Sequence, residues 1–191
     1  MKNKETLCGK LTGKNRENIP NTAFKIMAFL MKMTDIIGNQ STKHFKTLAL
    51  QPGQTVIDYG CGPARYIKNA SKCVGEAGKV IAVDIHPLAI KFVNEKKEKY
   101  NLKNVEAVLA EGYTTAIPSE TADVVYALDM FHMIEQPGQL INELHRLVKP
   151  NGTIIIEDGH QPRSETKHKI ENTGLLTIIE GNRYHLKCRK N

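Results

Sequence analysis

Tryptophan is absent from the chain, cysteine and aromatic residues are sparse, and proline and glycine are no more frequent than in an ordinary protein. These contents exclude a disulfide scaffold, a collagen-like protein and a wholly disordered chain. The four cysteines (Cys8, Cys61, Cys73 and Cys188) include no CxxC pair, and we expect them to be reduced thiols. With 191 residues, of which 40% are hydrophobic and 25% charged, the chain is long enough for one ordinary domain with its own core.

Long apolar runs are also missing. The most apolar early stretch, residues 23–37, is interrupted by Lys25, Lys32 and Asp35, and no small-residue cleavage pattern follows it. It therefore fits neither a membrane span nor a signal peptide. We expect a cytoplasmic protein.

The net charge of +7 is distributed unevenly along the chain. Residues 1–50 hold nine basic and three acidic residues, and residues 161–191 hold seven basic and three acidic residues, whereas the segment between them has a small acidic excess. A nucleic-acid surface needs Lys and Arg on one face, so the basic ends leave a role in RNA binding open. Aromatic residues are not interleaved with the basic ones, and a solvated surface that keeps the protein soluble is the simpler explanation.

From Gln51 onward, short β-branched apolar runs alternate with longer helical patterns. This alternation predicts repeated βαβ units, and so a Rossmann-like α/β fold with a doubly wound, mostly parallel sheet and helices on both faces. In the third predicted helix the apolar residues share one face, and Asn142, Glu143 and Arg146 are expected outside it. The predicted strands are Thr55–Tyr59, Lys79–Val83, Val105–Leu109, Asp123–Leu128 and Thr153–Asp158, and the predicted helices are Ala64–Cys73, Leu88–Tyr100 and Gly138–Val148.

The two ends of the chain depart from this alternation. Leu175–Glu180 and Arg183–Cys188 are strand-like runs joined by Gly181-Asn182, which predicts a tight antiparallel hairpin at the end of the sheet. Residues 1–44 combine a basic start with a helical, apolar pattern rich in methionine. We expect them to form a tail and an amphipathic helical lid, and residues 45–191 to form the ligand-binding domain.

A glycine-rich turn follows the first predicted strand, in the sequence Asp58-Tyr59-Gly60-Cys61-Gly62-Pro63-Ala64. Between a strand and a helix, such a turn lets backbone N–H groups approach a ligand closely, although it can also be purely structural. Asp58 would repel a pyrophosphate but attract an ammonium group. Asp84, at the end of the second strand, can bind both hydroxyls of a ribose, as in NAD sites, or cap the next helix. Asp58 therefore favours a ligand that carries an amino group.

Four motifs in this order resemble the class I S-adenosylmethionine-dependent methyltransferases, across roughly residues 45–191. Asp58–Pro63 is similar to the family's first motif, Val80–Asp84 to its second-strand acid, Leu109–Gly112 to its adenine-contacting turn and Arg146–Thr153 to its approach to the fifth strand. The likeness extends to the small-molecule branch typified by the quinone-biosynthesis methyltransferases. Ala64 departs from the pattern, because many members have a third glycine there.

The resemblance implies S-adenosyl-L-methionine as the cofactor. Asp58 and Gly60 would hold its methionine end, and Asp84 its ribose. The cofactor-binding residues that the resemblance implies are Asp58, Gly60, Gly62, Asp84, His86, Glu111 and Gly112.

The adenine contacts implied by the resemblance come from the second and third strand ends. Glu111 would bind the adenine amino group, and the N–H of Gly112 would lie near a ring nitrogen. His86 would pack beside the adenine. Glu111-Gly112 replaces the commoner Asp-Ala pair, so the pocket is expected to be slightly reshaped.

The exit of the fourth predicted strand, Ala127–Ile134, lies at the carboxyl edge of the sheet, where open α/β folds bind ligands. His132 is the best candidate for a catalytic base because its ordinary pKa is near neutrality, although a half-buried structural role is also open. Asp129 is the second catalytic candidate, for a contact with the acceptor or the sulfonium. Asp129 and Asp158 could hold Mg²⁺, but further ligands are not evident in the sequence, and we predict no metal.

The indicated function is methyl transfer to a small, partly apolar acceptor molecule. The segment Asp129–His132 lacks the prolines of the tetrad found in nucleobase amino-methyltransferases, and Cys61 lacks the thiol partners that arsenite methylation needs. An RNA or protein methyltransferase and a non-catalytic S-adenosylmethionine-binding protein are the alternatives. Asp58 and the terminal hairpin disfavour an NAD-dependent oxidoreductase. A monomer and a homodimer are both compatible with the sequence.

Overall fold

The computed structural model describes residues 19–38 and 44–191. The basic start predicted for the chain lies outside these residues. In chain order, the elements are helix α1 (Asn21–Gly38), strand β1 (Thr55–Tyr59), helix α2 (Ile67–Val74), strand β2 (Lys79–Asp84), helix α3 (Pro87–Tyr100), strands β3 (Val105–Leu109) and β4 (Ala122–Ala127), a short 3₁₀ helix (Phe131–Met133), helix α4 (Pro137–Leu147), strand β5 (Val148–Glu157), helix α5 (Arg163–Glu171), and strands β6 (Leu176–Gly181) and β7 (His185–Lys190).

The strands form one seven-stranded sheet in the order β3-β2-β1-β4-β5-β7-β6. The five strands from β3 to β5 pair in parallel, and β7 runs antiparallel to both β5 and β6. The strand order reverses between β1 and β4, and a crevice opens at the carboxyl ends of strands at such a point. This topology confirms the predicted Rossmann-like fold and places any ligand beside the ends of β1, β2 and β4.

Two apolar clusters cover the two faces of the sheet. Ile57 and Val125 point to the face covered by α4 and α5. Their neighbours Val56 and Val124 point to the other face, which packs against α2, α3 and α1. Because successive strand residues alternate between faces, a continuous apolar run such as β1 is buried on both sides, which explains its β-branched composition.

Most predicted boundaries agree with the structure, and the exceptions have local causes. Helix α2 begins at Ile67 rather than at Ala64, because Ala64 adopts a left-handed backbone with φ of 59°. Strand β5 begins at Val148 rather than at Thr153, because Val148 already pairs with Ala122 before the register shifts.

The C-terminal hairpin is present, but its turn is longer than predicted. Gly181 belongs to β6, and residues 182–184 make the connection. The Asn182 backbone N–H donates to the His185 carbonyl at 3.0 Å, and the Asn182 side-chain oxygen accepts from the His185 N–H at 3.0 Å. The predicted two-residue link at Gly181-Asn182 was therefore wrong, because the Asn182 side chain closes a wider turn.

Helix α1 packs on the face that α2 and α3 cover. The Phe24 side chain is buried, with its ring stacked on His86 at a centroid distance of 4.2 Å and 6.0 Å from the Phe92 ring. Within residues 19–38 and 44–191, no helix combines the length and the apolar character that a membrane crossing requires. The predicted helix therefore exists and lies on the domain, while its movement as a lid stays a prediction.

Candidate active site

A cavity of about 600 Å³ lies at the carboxyl ends of β1, β2 and β4. Its lining includes the glycine turn and the two acids predicted to bind a cofactor, Asp58 and Asp84. Apolar side chains from α1 and from the β4 exit, among them Met27, Met31 and Met130, complete the lining. The cavity therefore has the size, shape and mixed lining of a small-molecule site.

The glycine turn is a tight reversal whose backbone is fixed by β2. The N–H groups of Gly60 and Cys61 both donate to the Val83 carbonyl, at 2.8 and 3.0 Å. Gly60 and Gly62 have positive φ angles of 77° and 50°, which disfavour other residues. A Cβ atom at Gly60 would lie 2.8 Å from the Met130 Cγ, so the turn also packs closely against the β4 exit.

Ala64 keeps the conformation of the glycine that it replaces. Its φ of 59° is left-handed, its side chain is fully buried, and its N–H donates to the Cys61 carbonyl at 3.0 Å. The Lys96 ammonium donates to the Ala64 carbonyl at 2.7 Å. The departure from the family pattern at this position therefore changes the side chain but leaves the turn intact.

Asp58 is the most unusual side chain of the site. It is only 2% exposed, and its Oδ2 atom has no hydrogen-bond partner among the described residues. Burial and the nearby Asp84 charge raise the pKa of Asp58 to about 8. The Tyr126 hydroxyl lies close enough to counteract this slightly, but forms no well-oriented bond with Oδ2. A buried carboxyl with a pKa this high keeps its proton near neutral pH, and a ligand ammonium group would supply both the cation and the hydrogen-bond donor that the ionised form lacks.

Asp84 links the two turns that border the cavity. Its Oδ2 accepts from the Gly62 N–H, and its Oδ1 accepts from the His86 N–H, both at 2.8 Å. Burial raises the pKa of Asp84, and these two hydrogen bonds counteract the increase. The cap of α3 is His86 instead, whose Nδ1 accepts from the Leu88 N–H. The carboxylate is therefore held at the cavity wall rather than used as a helix cap.

His86 is buried between α3 and the N-terminal segment. One face of its ring stacks on Phe24, and its Nε2 lies 3.1 Å from the Ile19 carbonyl. The ring still contributes to the cavity wall. Because Phe24 of α1 covers one face of the ring, only the other face and the ring edge are left for an adenine. The contact with an adenine stays a prediction.

The predicted adenine turn lies at the rim of the cavity. Ala110 and Gly112 line the cavity, whereas Glu111 between them is exposed. The Glu111 and Thr114 backbones exchange two hydrogen bonds, which fold residues 111–114 into a compact turn. A Cβ atom at Gly112 would meet no atom within 4 Å, so open space lies beside this residue.

A buried ion pair behind this turn was missed by the sequence analysis. Glu143 on α4 is only 3% exposed, although it was predicted to lie outside the buried face. Its carboxylate accepts from the Thr115 N–H at 3.0 Å and from the Thr115 hydroxyl at 2.9 Å, and it pairs with Arg146 at 2.7 Å. The Glu143 prediction was wrong because helical periodicity cannot show that a distant loop supplies polar partners.

The β4 exit carries both predicted catalytic residues to the cavity. Asp129 has a left-handed φ of 55°, and its N–H donates to the Glu157 Oε2 at 2.9 Å. Glu157 also lies 3.6 Å from His44 Nδ1, and its burial and the Asp129 charge raise its pKa to about 7. Asp129 and His132 both line the cavity.

His132 is placed by an unusually close backbone contact. A Cβ atom at Gly159 would lie only 2.0 Å from His132 Nδ1, so the imidazole occupies space that any other residue at position 159 would fill. The His160 ring packs edge-on against it at a centroid distance of 4.9 Å. Asp158, considered above as a metal ligand, pairs with Arg163 at 2.5 Å, and no cluster of three or more His, Cys, Asp or Glu side chains suits a metal in the described parts of the chain.

A buried acid with an unpartnered oxygen, a second acid at the next strand end and a glycine turn with open space beside Gly62 are the features of an α/β site for an amino-bearing nucleoside. Comparison with known proteins agrees. A family model described as a methyltransferase domain matches residues 50–186. The chain is 28% identical to the demethylmenaquinone methyltransferase of Oceanobacillus iheyensis in an alignment of 137 positions that covers 68% of this chain and 57% of that protein. It is also 28% identical to the ubiquinone/menaquinone biosynthesis C-methyltransferase UbiE of Escherichia fergusonii, over 66% of this chain and 51% of that protein.

Solved structures give the same result. A SAM-dependent methyltransferase from Aquifex aeolicus matches with a TM-score of 0.73 and 25% identity, over 90% of this chain and 97% of that one. The chain belongs to the S-adenosylmethionine-dependent methyltransferase family, and it spans about half the length of the curated relatives it matches. The family's cofactor fits the site, because the orphaned Asp58 oxygen provides for an ammonium group and the open space beside Gly62 provides for a close backbone approach.

Proposed function

We propose that this protein transfers a methyl group from S-adenosylmethionine to a small, partly apolar acceptor. The observation that carries the proposal is one cavity whose lining combines the two acids Asp58 and Asp84 with apolar side chains such as Met27, Met31 and Ile134. A planar or flexible apolar body fits the methionine lining, since thioether side chains adapt to varied shapes. The relatives named as quinone-biosynthesis methyltransferases support an acceptor of this kind.

The cofactor supplies an electrophilic methyl group, and the chain's residues supply binding and alignment. Asp58 would hold the ammonium group, Asp84 the ribose hydroxyls, and Glu111 with Gly112 the adenine edge. Ionised Asp58 is stabilised once a cation lies against it, so ligand binding should release the proton that burial retains. Alignment of the acceptor atom with the methyl carbon is the main catalytic requirement of an in-line displacement.

The acceptor end contains a base suited to an acceptor that carries a proton. His132 lies at the cavity wall, fixed by Gly159 and His160, and a neutral imidazole can accept a proton near neutral pH. Asp129 comes three residues earlier on the same exit and also lines the cavity, where its carboxylate would orient the acceptor. Helix α1 contributes Met27 and Met31 to the cavity lining, and as the proposed lid it would exclude water from the acceptor.

The experiment has two stages. Calorimetry first measures binding of S-adenosylmethionine and S-adenosylhomocysteine, and release of S-adenosylhomocysteine is then followed with a soluble naphthohydroquinone, a catechol, arsenite, a short RNA and a basic peptide. Turnover with the apolar hydroxylated acceptors, reduced in His132→Gln, supports the proposal. Cofactor binding without turnover on any acceptor favours the non-catalytic alternative, and turnover restricted to RNA or peptide favours the macromolecular one.

A further inference from the structure

The outer face of helix α1 is an exposed apolar stripe. Phe29 is 62% exposed, Ile26 and Leu30 are each 57% exposed, and Met33 is 41% exposed. Their spacings of three, four and seven residues place them on one side of the helix, opposite the buried Phe24. These four side chains account for half of the large exposed hydrophobic residues in the described chain, so the stripe is a concentrated patch rather than scattered exposure.

Two lysines run along one edge of this stripe. Lys25 and Lys32 are both exposed, and their separation of seven residues puts them on the same flank of the helix. The first fifty residues as a whole hold nine basic and three acidic residues. Apolar side chains bordered by lysines whose ammonium groups extend outward form the pattern by which interfacial helices bind anionic bilayers.

The charge distinguishes between a bilayer and a second copy of the chain as the occupant of this face. In a two-fold dimer the same patch would face itself, and residues 21–34 contain no acidic residue that could pair with the lysines of the other copy. An anionic lipid surface instead neutralises the lysines while the apolar side chains leave water. We propose that the outer face of α1 docks on an anionic lipid surface. Docking needs neither methyl donor nor acceptor, so it does not rest on the proposed function.

The test is co-sedimentation of the full-length protein with vesicles of phosphatidylcholine alone and of phosphatidylcholine mixed with phosphatidylglycerol. Binding to the mixed vesicles, weak binding to the neutral ones and a decline as salt is raised are expected. Lys25→Gln combined with Lys32→Gln should weaken binding about 25-fold, from about fivefold for each lysine. Leu30→Glu should abolish it, whereas Ile179→Glu, at a position 45% exposed on β6, should have no effect.

Three outcomes would overturn the proposal. The first is no binding of the wild-type protein to the mixed vesicles at low salt. The second is binding by Leu30→Glu as strong as that of Ile179→Glu, since attraction by other basic residues would then suffice. The third is a wild-type dimer in sedimentation velocity that Leu30→Glu dissociates while vesicle binding persists, because the stripe would then be a contact between copies. Circular dichroism and cofactor binding of each variant show that it is folded.

Discussion

Asp58 makes the stability of the cofactor-free protein depend on pH. In the unfolded chain this carboxyl ionises at about pH 4, whereas burial and the Asp84 charge raise its pKa to about 8 in the folded protein. Between these values the folded state keeps a proton that the unfolded state loses. The group therefore contributes stability that is fully present below about pH 4 and is lost as the pH rises toward 8.

The magnitude follows from the linkage between proton binding and folding. The free energy of unfolding falls by about 1.4 kcal/mol per pH unit, which amounts to at most about 4 kcal/mol between about pH 5 and about pH 8. Asp58→Asn keeps the shape of the side chain without its charge, and should remove this slope. We therefore expect the free energy of unfolding of the variant, relative to that of the wild type, to rise by about 2–4 kcal/mol over this range.

Urea unfolding at several pH values measures the difference, and Asp123→Asn is the control. Asp123 is partly buried, but it forms an ion pair with Lys149 and accepts a hydrogen bond from the Thr55 N–H. These two interactions outweigh the effect of burial and lower the pKa of Asp123, so it stays ionised throughout this pH range. Parallel unfolding curves for Asp58→Asn and the wild type would refute the reasoning. Calorimetry near pH 7 in two buffers gives a second measurement, since cofactor binding should release about one proton in the wild type and none in Asp58→Asn.

Three further predictions concern other parts of the site. Asp84→Ala should weaken cofactor binding by about 2–4 kcal/mol in calorimetry, through loss of charge-assisted bonds to the ribose, and unchanged affinity would contradict this role. Gly159→Ala and its control Gly174→Ala both place a Cβ on a residue with a left-handed backbone, which should lower the free energy of unfolding by roughly 1–2 kcal/mol each. Only Gly159→Ala displaces His132, so its free energy of unfolding should fall by roughly a further 1–3 kcal/mol, and it should lose methyl transfer. Equal effects of the two substitutions on stability and activity would show that the contact between Gly159 and His132 is unimportant. Deletion of residues 1–40 should leave a folded, cofactor-binding protein that has lost methyl transfer, whereas retained turnover or global unfolding would exclude the lid.

The geometry of the first two strand ends, where a cofactor is predicted to bind, could be expected from the sequence because its parts are local. Asp58, Gly60 and Gly62 lie within five consecutive residues, and their strand–turn–helix setting follows from the pattern of β-branched and glycine residues. Asp84 is distant in sequence, but strands β1 and β2 pair in parallel, so their carboxyl ends must meet at one edge. The Gly62 N–H bond to Asp84 is the direct result of this pairing.

The acceptor end could not be predicted in the same way, because it is built by contacts between distant segments. The position of the His132 side chain depends on the small size of Gly159. The backbone conformation of Asp129 depends on the hydrogen bond from its N–H to the carboxylate of Glu157, a residue on the neighbouring strand. Neither contact leaves a periodic or compositional signal near the β4 exit. The burial of Glu143 is hidden for the same reason, since its partner Thr115 is on a loop 28 residues away.

This difference in construction has a consequence for specificity. A substitution in the glycine turn changes a backbone proposed to contact the cofactor, and the positive φ angles of Gly60 and Gly62 leave few replacements possible there. The apolar lining proposed to contact the acceptor is instead made of side chains such as Met27, Met31 and Ile134, which can be exchanged without altering the sheet. Changes at these three positions should therefore alter which acceptor is methylated while cofactor affinity stays constant.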